Sequence, residues 1–189
     1  MTCAQGAEER ELSQALMQAL RGAVLTETFP KSFVDVYVLV LQADAAELPA
    51  AVMAASLALA HAGVACRDLV SACTVVRSCG HALADCAFSD AGCRFCRSFQ
   101  AQVGSELVLD PLPSELAAAR ASATVTALTS EGGATSVALR GLWEGAGAAE
   151  EAVETALDAC AVLDQALRGA LQAAAAPQAA AALAARTQK

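Results

Sequence analysis

At 189 residues the chain has the length of a single domain and can bury a core. Apolar residues make up 56% of it and aromatics only 4%, while 20 acidic against 12 basic side chains leave a formal net charge of −8. Such a surface repels a polyphosphate backbone, which argues against nucleic-acid binding by the chain on its own; within an assembly, other subunits could carry the positive charge. The opening "MTCAQGAEERELSQ" lacks the basic-then-apolar order of a secretory signal. The longest uncharged apolar stretch, Leu48 to Ala60, is too short to span a bilayer. Eight cysteines without such a signal read as reduced thiols of cytosol or nucleus.

Residues 8 to 27 are expected to be helical, with Leu12, Leu16, Leu20 and Val24 forming a narrow apolar stripe. Pro30 forces an extended entry into "SFVDVYVLVL", a strand with Val34, Val36, Val38 and Val40 on one face. Phe33, Tyr37, Leu39 and Leu41 lie on the other, so both faces are expected to be covered. A helix follows over 47 to 62, with Pro49 in its first turn and Gly63 after its end.

"DLVSACTVVRS" is a second β-type run, and residues 80 to 106 lose all periodicity and collect cysteines. "ELVLDP" is a short strand stopped by Pro111, and "SATVTALTSEGGATSVALRG" is a hairpin turning at Ser130 to Gly133. The last helix, about 147 to 175, is expected to bury Val153, Leu157, Cys160, Leu163, Leu167 and Leu171. Residues 176 to 189, beginning at Pro177, read as a low-complexity, frayed tail. The order of elements predicts an α+β fold with helices packed on a mixed sheet.

"FPKSFVDVYVLVLQAD…ASLALAHAGVACRDLVSAC" resembles the second half of an RNase PH domain. The residues that carry the likeness are Gln42-Ala43-Asp44 at a strand end, His61-Ala62-Gly63 closing a helix, and Arg67-Asp68-Leu69 opening the next strand. "LTETFPKSFVDVYVLVL" followed by "ELPA", and later "LVLDP", are most similar to the non-catalytic RNase PH-type subunits of the eukaryotic exosome ring. Within these, the nearest form is the plant- or algal-like subunit named for a messenger RNA transport defect. The likeness covers residues 8 to 175 as one RNase PH-like domain and implies that only the C-terminal part of the fold is present. Residues 85 to 106 stand out as a Cys-rich insertion.

The resemblance also permits two tests of activity. Phosphorolytic relatives carry a Gly-Gly-Thr-Arg or Gly-Ser-Arg-like turn after Gln-Ala-Asp, whose N–H groups, hydroxyl and guanidinium hold phosphate. The equivalent residues here are Ala45-Ala46-Glu47-Leu48. Leu48 replaces the arginine, Glu47 adds a negative charge, and Pro49 removes a donor. Catalytic relatives also place two aspartates six residues apart beyond the "LVLDP"-like strand, to bind metal and assist departure of the RNA 3′ oxygen. Those positions hold Leu116 and Ser122. Asp110 and Glu115 read as a turn cap and a solvated charge. No catalytic, cofactor-binding or metal residue is therefore assigned.

Cys93-x-x-Cys96, with Cys86, Cys79 and His81 nearby, has one ligand-pair spacing but no matching second pair for zinc. Cys66, Cys73 and Cys160 fit as small core residues, His61 as a helix-end cation, and Trp143 as a core or interface anchor.

The implied role is structural. It is that of an inert subunit in a six-membered ring of RNase PH-type proteins that supports cap proteins and 3′-to-5′ RNA processing and degradation. The processes implied are rRNA maturation and mRNA turnover in nucleus, nucleolus and cytoplasm. RNA would be met only through the assembled complex, with no membrane and no cofactor. The competing readings are a phosphate-dependent 3′-to-5′ exoribonuclease, a stand-alone module on the Cys-rich insertion, and a non-functional product.

Overall fold

The computed structural model describes residues 6–43, 47–78 and 107–187. Helix α1 (Ala7–Arg21) starts with Glu9 reaching back, its Oε2 accepting the Gly6 N–H at 3.1 Å. It stops at Gly22, short of the expected residue 27, because the chain beyond finds other backbone partners. Leu25 N–H donates to Ala65 O at 2.9 Å and Arg67 N–H to Ala23 O at 2.7 Å, so Val24 pairs with Cys66 rather than extending the helical stripe. A short 3-10 turn (Thr26–Thr28) follows.

Helix α2 (Glu47–His61) ends before Gly63, whose φ of +73° is the left-handed conformation suited to glycine just past a helix. It is tied to the sheet by a buried hydrogen bond in which Val70 N–H donates to Ser56 Oγ at 2.8 Å.

Strands β1 (Val70–Ser78), β2 (Leu107–Leu109), β3 (Ala119–Leu128) and β4 (Gly133–Gly141) make a sheet of order β2-β1-β3-β4. Every pairing among the described strands is antiparallel, where a mixed sheet was expected. The α+β class holds. The hairpin β3–β4 turns where its Gly132 (φ +64°) allows, and a helix α3 (Pro113–Ala118) precedes it. At the far end of the hairpin, Gly141 (φ +84°) passes so close to β3 that a Cβ would lie 2.2 Å from Arg120 O.

Both faces of the sheet's centre are covered. Val70, Ala72 and Leu128 pack with Ala19, Leu20, Val52, Ala55 and Leu59 of α1 and α2. On the opposite face Cys73, Val75, Ala123, Val125 and Ala127 meet helix α4 (Ala146–Thr187). The stripe of α4 that is sealed reads Ala152, Ala156, Cys160 and Asp164. The larger Val153, Leu157 and Leu163, expected at the centre, instead flank it half-buried. Small residues win that line because a helix can approach a flat β face closely only where its side chains are short. Helix α4 also continues through Pro177 to Thr187, where a frayed tail was expected. Alanine, the strongest helix former, dominates residues 173–185 and carries the helix past the missing N–H of proline.

The largest departure concerns residues 33–41. They join no ladder among the described residues, and Phe33, Tyr37, Leu39 and Leu41 are 82–95% exposed, so the expected cover on both faces is not present. A strand needs neighbours, and no described segment lies alongside to pair with it. No helix among the described residues is long and apolar enough to cross a membrane.

Candidate functional site

At the start of α2, residues 44–46 lie outside the described residues, so the turn itself is represented only by its C-terminal end. Glu47 opens the helix, Leu48 is half-buried and packed against the α1/α2 core cluster, and Pro49 is buried. The side chain at position 48 is thus engaged in packing rather than facing an anion.

The second tested region lies on α3 and β3, which lean on β1. Leu116 is half-buried on α3, and Ser122 sits in β3 opposite Val76 on one side and Arg140 on the other. Glu115 is not a merely solvated charge, because its Oε2 accepts the Leu112 N–H at 2.8 Å and caps α3. Asp110 occupies the turn with φ +51°, its N–H donating to Thr74 O at 2.9 Å. A capping carboxylate and a turn residue shape the chain here; the two flanking positions, Leu116 and Ser122, supply no ionisable group.

A cluster that sequence reading missed lies at the other end of the sheet. Arg168 Nε donates to Asp164 Oδ2 at 2.7 Å, and its Nη2 pairs with Asp68 Oδ1. Asp68 Oδ2 accepts the Ser130 N–H at 3.0 Å, so one carboxylate ties the start of β1, the β3–β4 turn and α4 together. The side chains of Asp68 and Asp164 are only 7% and 6% exposed. Burial pushes the Asp68 carboxyl up, but hydrogen bonds from Ser130, the Leu69 N–H and Arg168 outweigh it and hold it below its ordinary value. Those to Asp164 and Asp68 raise Arg168. The signal available in the sequence was the i, i+4 spacing of Asp164 and Arg168 on a helix. Asp68, noticed only as part of Arg67-Asp68-Leu69, is a structural tie.

The three described thiols, Cys66, Cys73 and Cys160, are packed in the core or at its edge. Cys73 is pushed up to about 11, by burial first and then by Cys160 and Asp110 beside it. Burial likewise raises Cys160 and Cys66, and all three are free. Such thiols stay protonated and unreactive near neutrality. Trp143 packs against the α4-side cluster, which suits an anchor; its indole N–H is buried without a hydrogen-bond partner among the described residues. His61 is exposed in the last turn of α2. Cys79, His81, Cys86, Cys93 and Cys96 fall outside the described residues, as does the rest of the 85–106 insertion. Among the described residues no group of His, Cys, Asp and Glu side chains could hold a metal ion.

Comparison with known proteins places these features. The model of the 3′ exoribonuclease (RNase PH) family, domain 1, matches residues 2–65. An exosome complex component RRP41-like protein of Arabidopsis thaliana is 32% identical over 171 residues, covering 90% of this chain and 57% of that protein. The exosome complex component Rrp41 of Thermococcus gammatolerans is 48% identical over 75 residues, 40% of this chain and 30% of the archaeal one. The fold is similar to that of rice Rrp46, with a TM-score of 0.71 over 91% of this chain and 70% of that one, at 21% identity. The chain therefore spans little more than half the length of its plant relative and about a third of the archaeal one. Family model, relatives and fold agree with the motifs around Asp44, Gly63 and Asp68: residues 2–65 match the RNase PH family, and the chain is similar over most of its length to exosome proteins of that type.

Proposed function

We propose that this chain is a structural, catalytically inert RNase PH-type subunit of the exosome ring. The observation that carries the reading is Leu48, an apolar side chain packed into the α1/α2 core where a phosphate-binding arginine would be required. Leu116 and Ser122 add to it, since neither supplies the carboxylate that would hold a metal ion or assist a leaving oxygen. With a net charge of −8, the chain would meet RNA only inside an assembly whose other subunits supply positive charge. Its partners are other RNase PH-type ring subunits and, through the ring, cap proteins. Its processes are 3′-to-5′ processing and turnover of RNA, rRNA and mRNA included, in nucleus, nucleolus and cytoplasm. No cofactor is required for this role.

A second reading is kept by the family description itself, which is of 3′ exoribonucleases, and by the similarity to Rrp41 proteins. Under that reading a partner would contribute the missing arginine and carboxylates. The deciding experiment co-expresses the chain with RNase PH-type subunits and assays single-stranded RNA with inorganic phosphate. Co-purification without phosphate-dependent release of nucleoside diphosphates above the partner alone is expected. Release that depends on this chain would overturn inertness, and failure to co-purify would remove the ring role.

A further inference from the structure

Of the three described thiols, only Cys73 and Cys160 share a face of the sheet. Cys66 packs against the opposite cluster, under α1 and α2. Cys73 stands in β1 within the α4-side cluster, where Cys160 joins it from the helix. Cys160 Sγ donates to Val125 O at 3.8 Å, and Val125 is the residue directly across the ladder from Cys73. Partners in an antiparallel ladder have Cα atoms about 4.5–5.5 Å apart, so the helix thiol comes down beside the strand thiol. A charge on Cys160 pushes Cys73 up, which fits the same closeness. The proximity has a cause in the sequence. Cys160 belongs to the sealed line Ala152, Ala156 and Cys160, whose short side chains let α4 lie close on the sheet. A disulfide spans Cα atoms about 4.4–6.8 Å apart, and a line of short side chains is where a helix and a sheet come nearest to that separation.

We infer that Cys73 and Cys160 are a redox-sensitive staple, closing as an intramolecular disulfide between β1 and α4 when the surroundings turn oxidising. The inference is independent of the ring role and of catalytic inertness. With the helix seated, both thiols are buried and protonated, so the dithiol is inert. Local lifting of α4 hydrates the two together, and either can then ionise. Its thiolate attacks one sulfur of a low-molecular-weight disulfide such as glutathione disulfide, forms a mixed disulfide and expels one glutathione thiolate. As the helix reseats, the second thiol gives up its proton and attacks the protein sulfur of that mixed disulfide. The protein S–S bond forms and the second glutathione leaves. The two protons and two electrons of the dithiol end on two glutathione thiols. The bridge ties residues roughly 90 apart in sequence, a loop long enough for its closure to restrict the unfolded chain strongly. A pair that served only as small core residues would instead resist oxidation in the folded chain, because a bridge between badly placed sulfurs strains the fold.

The test uses the full chain carrying Cys3→Ser, Cys66→Ser, Cys79→Ser, Cys86→Ser, Cys93→Ser and Cys96→Ser, equilibrated in glutathione buffers of graded poise. Intact mass after acid quenching is expected to show a monomer lighter by two hydrogen atoms. The equilibrium constant for that species should be roughly tenfold or more larger in native buffer than in concentrated urea, because the fold presents the two thiols to each other. A peptide map of the unsubstituted chain after the same treatment does not depend on the serines being tolerated, and it should contain Cys73 linked to Cys160. An equal or smaller constant in native buffer would overturn the inference. So would a product that stops at glutathione adducts, disulfide-linked dimers in place of the lighter monomer, or a map in which either thiol pairs elsewhere.

Discussion

Arg168 sits between two carboxylates that are almost sealed from water, and replacing it with methionine tests whether that tie matters. The thioether keeps most of the stem's packing while removing the charge and the donors. Stripping the cation from a buried pair typically costs about 3–5 kcal/mol. Arg168 is itself 43% exposed, so water screens part of the effect and about 2–3 kcal/mol is the reasonable expectation. For a chain of this length that corresponds to a fall in Tm of about 4–12 °C.

The loss should depend on pH, with a definite sign. In the native chain Asp68 is held below its ordinary value, so its contribution is present above the unfolded pKa and is lost as pH falls through the folded one. Without Arg168 the upward push of burial is opposed only by the N–H groups and Ser130. The stabilising margin above the unfolded pKa shrinks or reverses, while at lower pH both proteins carry a protonated Asp68. Urea midpoints for the two proteins should therefore lie far apart near about pH 7 and converge only well below about pH 4, once the pH has fallen through the lowered folded value. A difference below about 0.5 kcal/mol, as for an ordinary surface pair, would refute the reasoning. An equal difference at both pH values would refute its electrostatic part.

Four further outcomes are expected. Gly141→Ala should cost about 3 kcal/mol in chemical denaturation, since φ is +84° and the new Cβ would meet Arg120 O, whereas Gly132→Ala, strained but in open space, should cost about 1–2. Ser56→Ala leaves the buried Val70 N–H without its acceptor and should lower stability by about 1–3 kcal/mol, read the same way. Thiol labelling near about pH 8 should modify Cys66 well before Cys73 and Cys160, and rapid native-state labelling of Cys73 would contradict its placement. Leu48→Arg should yield no phosphorolysis in a phosphate-release assay, because Leu116 and Ser122 remain and catalytic groups act as a unit. The same change should destabilise the α1/α2 core, where Leu48 packs.

How much of this was legible beforehand differs from element to element, and the differences have physical causes. The hairpin was legible because its turn and its alternation are local: β3 and β4 meet across the four residues Thr129 to Gly132. Helix α2 was legible for the same reason, bracketed by Pro49 and Gly63. Helix α1 was read too long because Leu20 and Val24 keep the helical spacing, while the pairing of 23–25 with 65–67 that stops it is a contact about forty residues away in sequence. The Asp68–Arg168 tie spans 100 residues, and nothing local marks it. In the candidate site, the residue types at 48, 116 and 122 could be read directly. Their surroundings could not, and it is the packing of Leu48 that turns a missing arginine into an occupied core position. Residues 33–41 show the limit most clearly. Their alternation fixes which side chains share a face, and the structure keeps that division, with the valines half-covered and the larger residues outward. A two-residue period carries no information about what lies against either face or along either edge. A strand that is apolar on both sides states a demand for cover, and only the rest of the sheet can answer it.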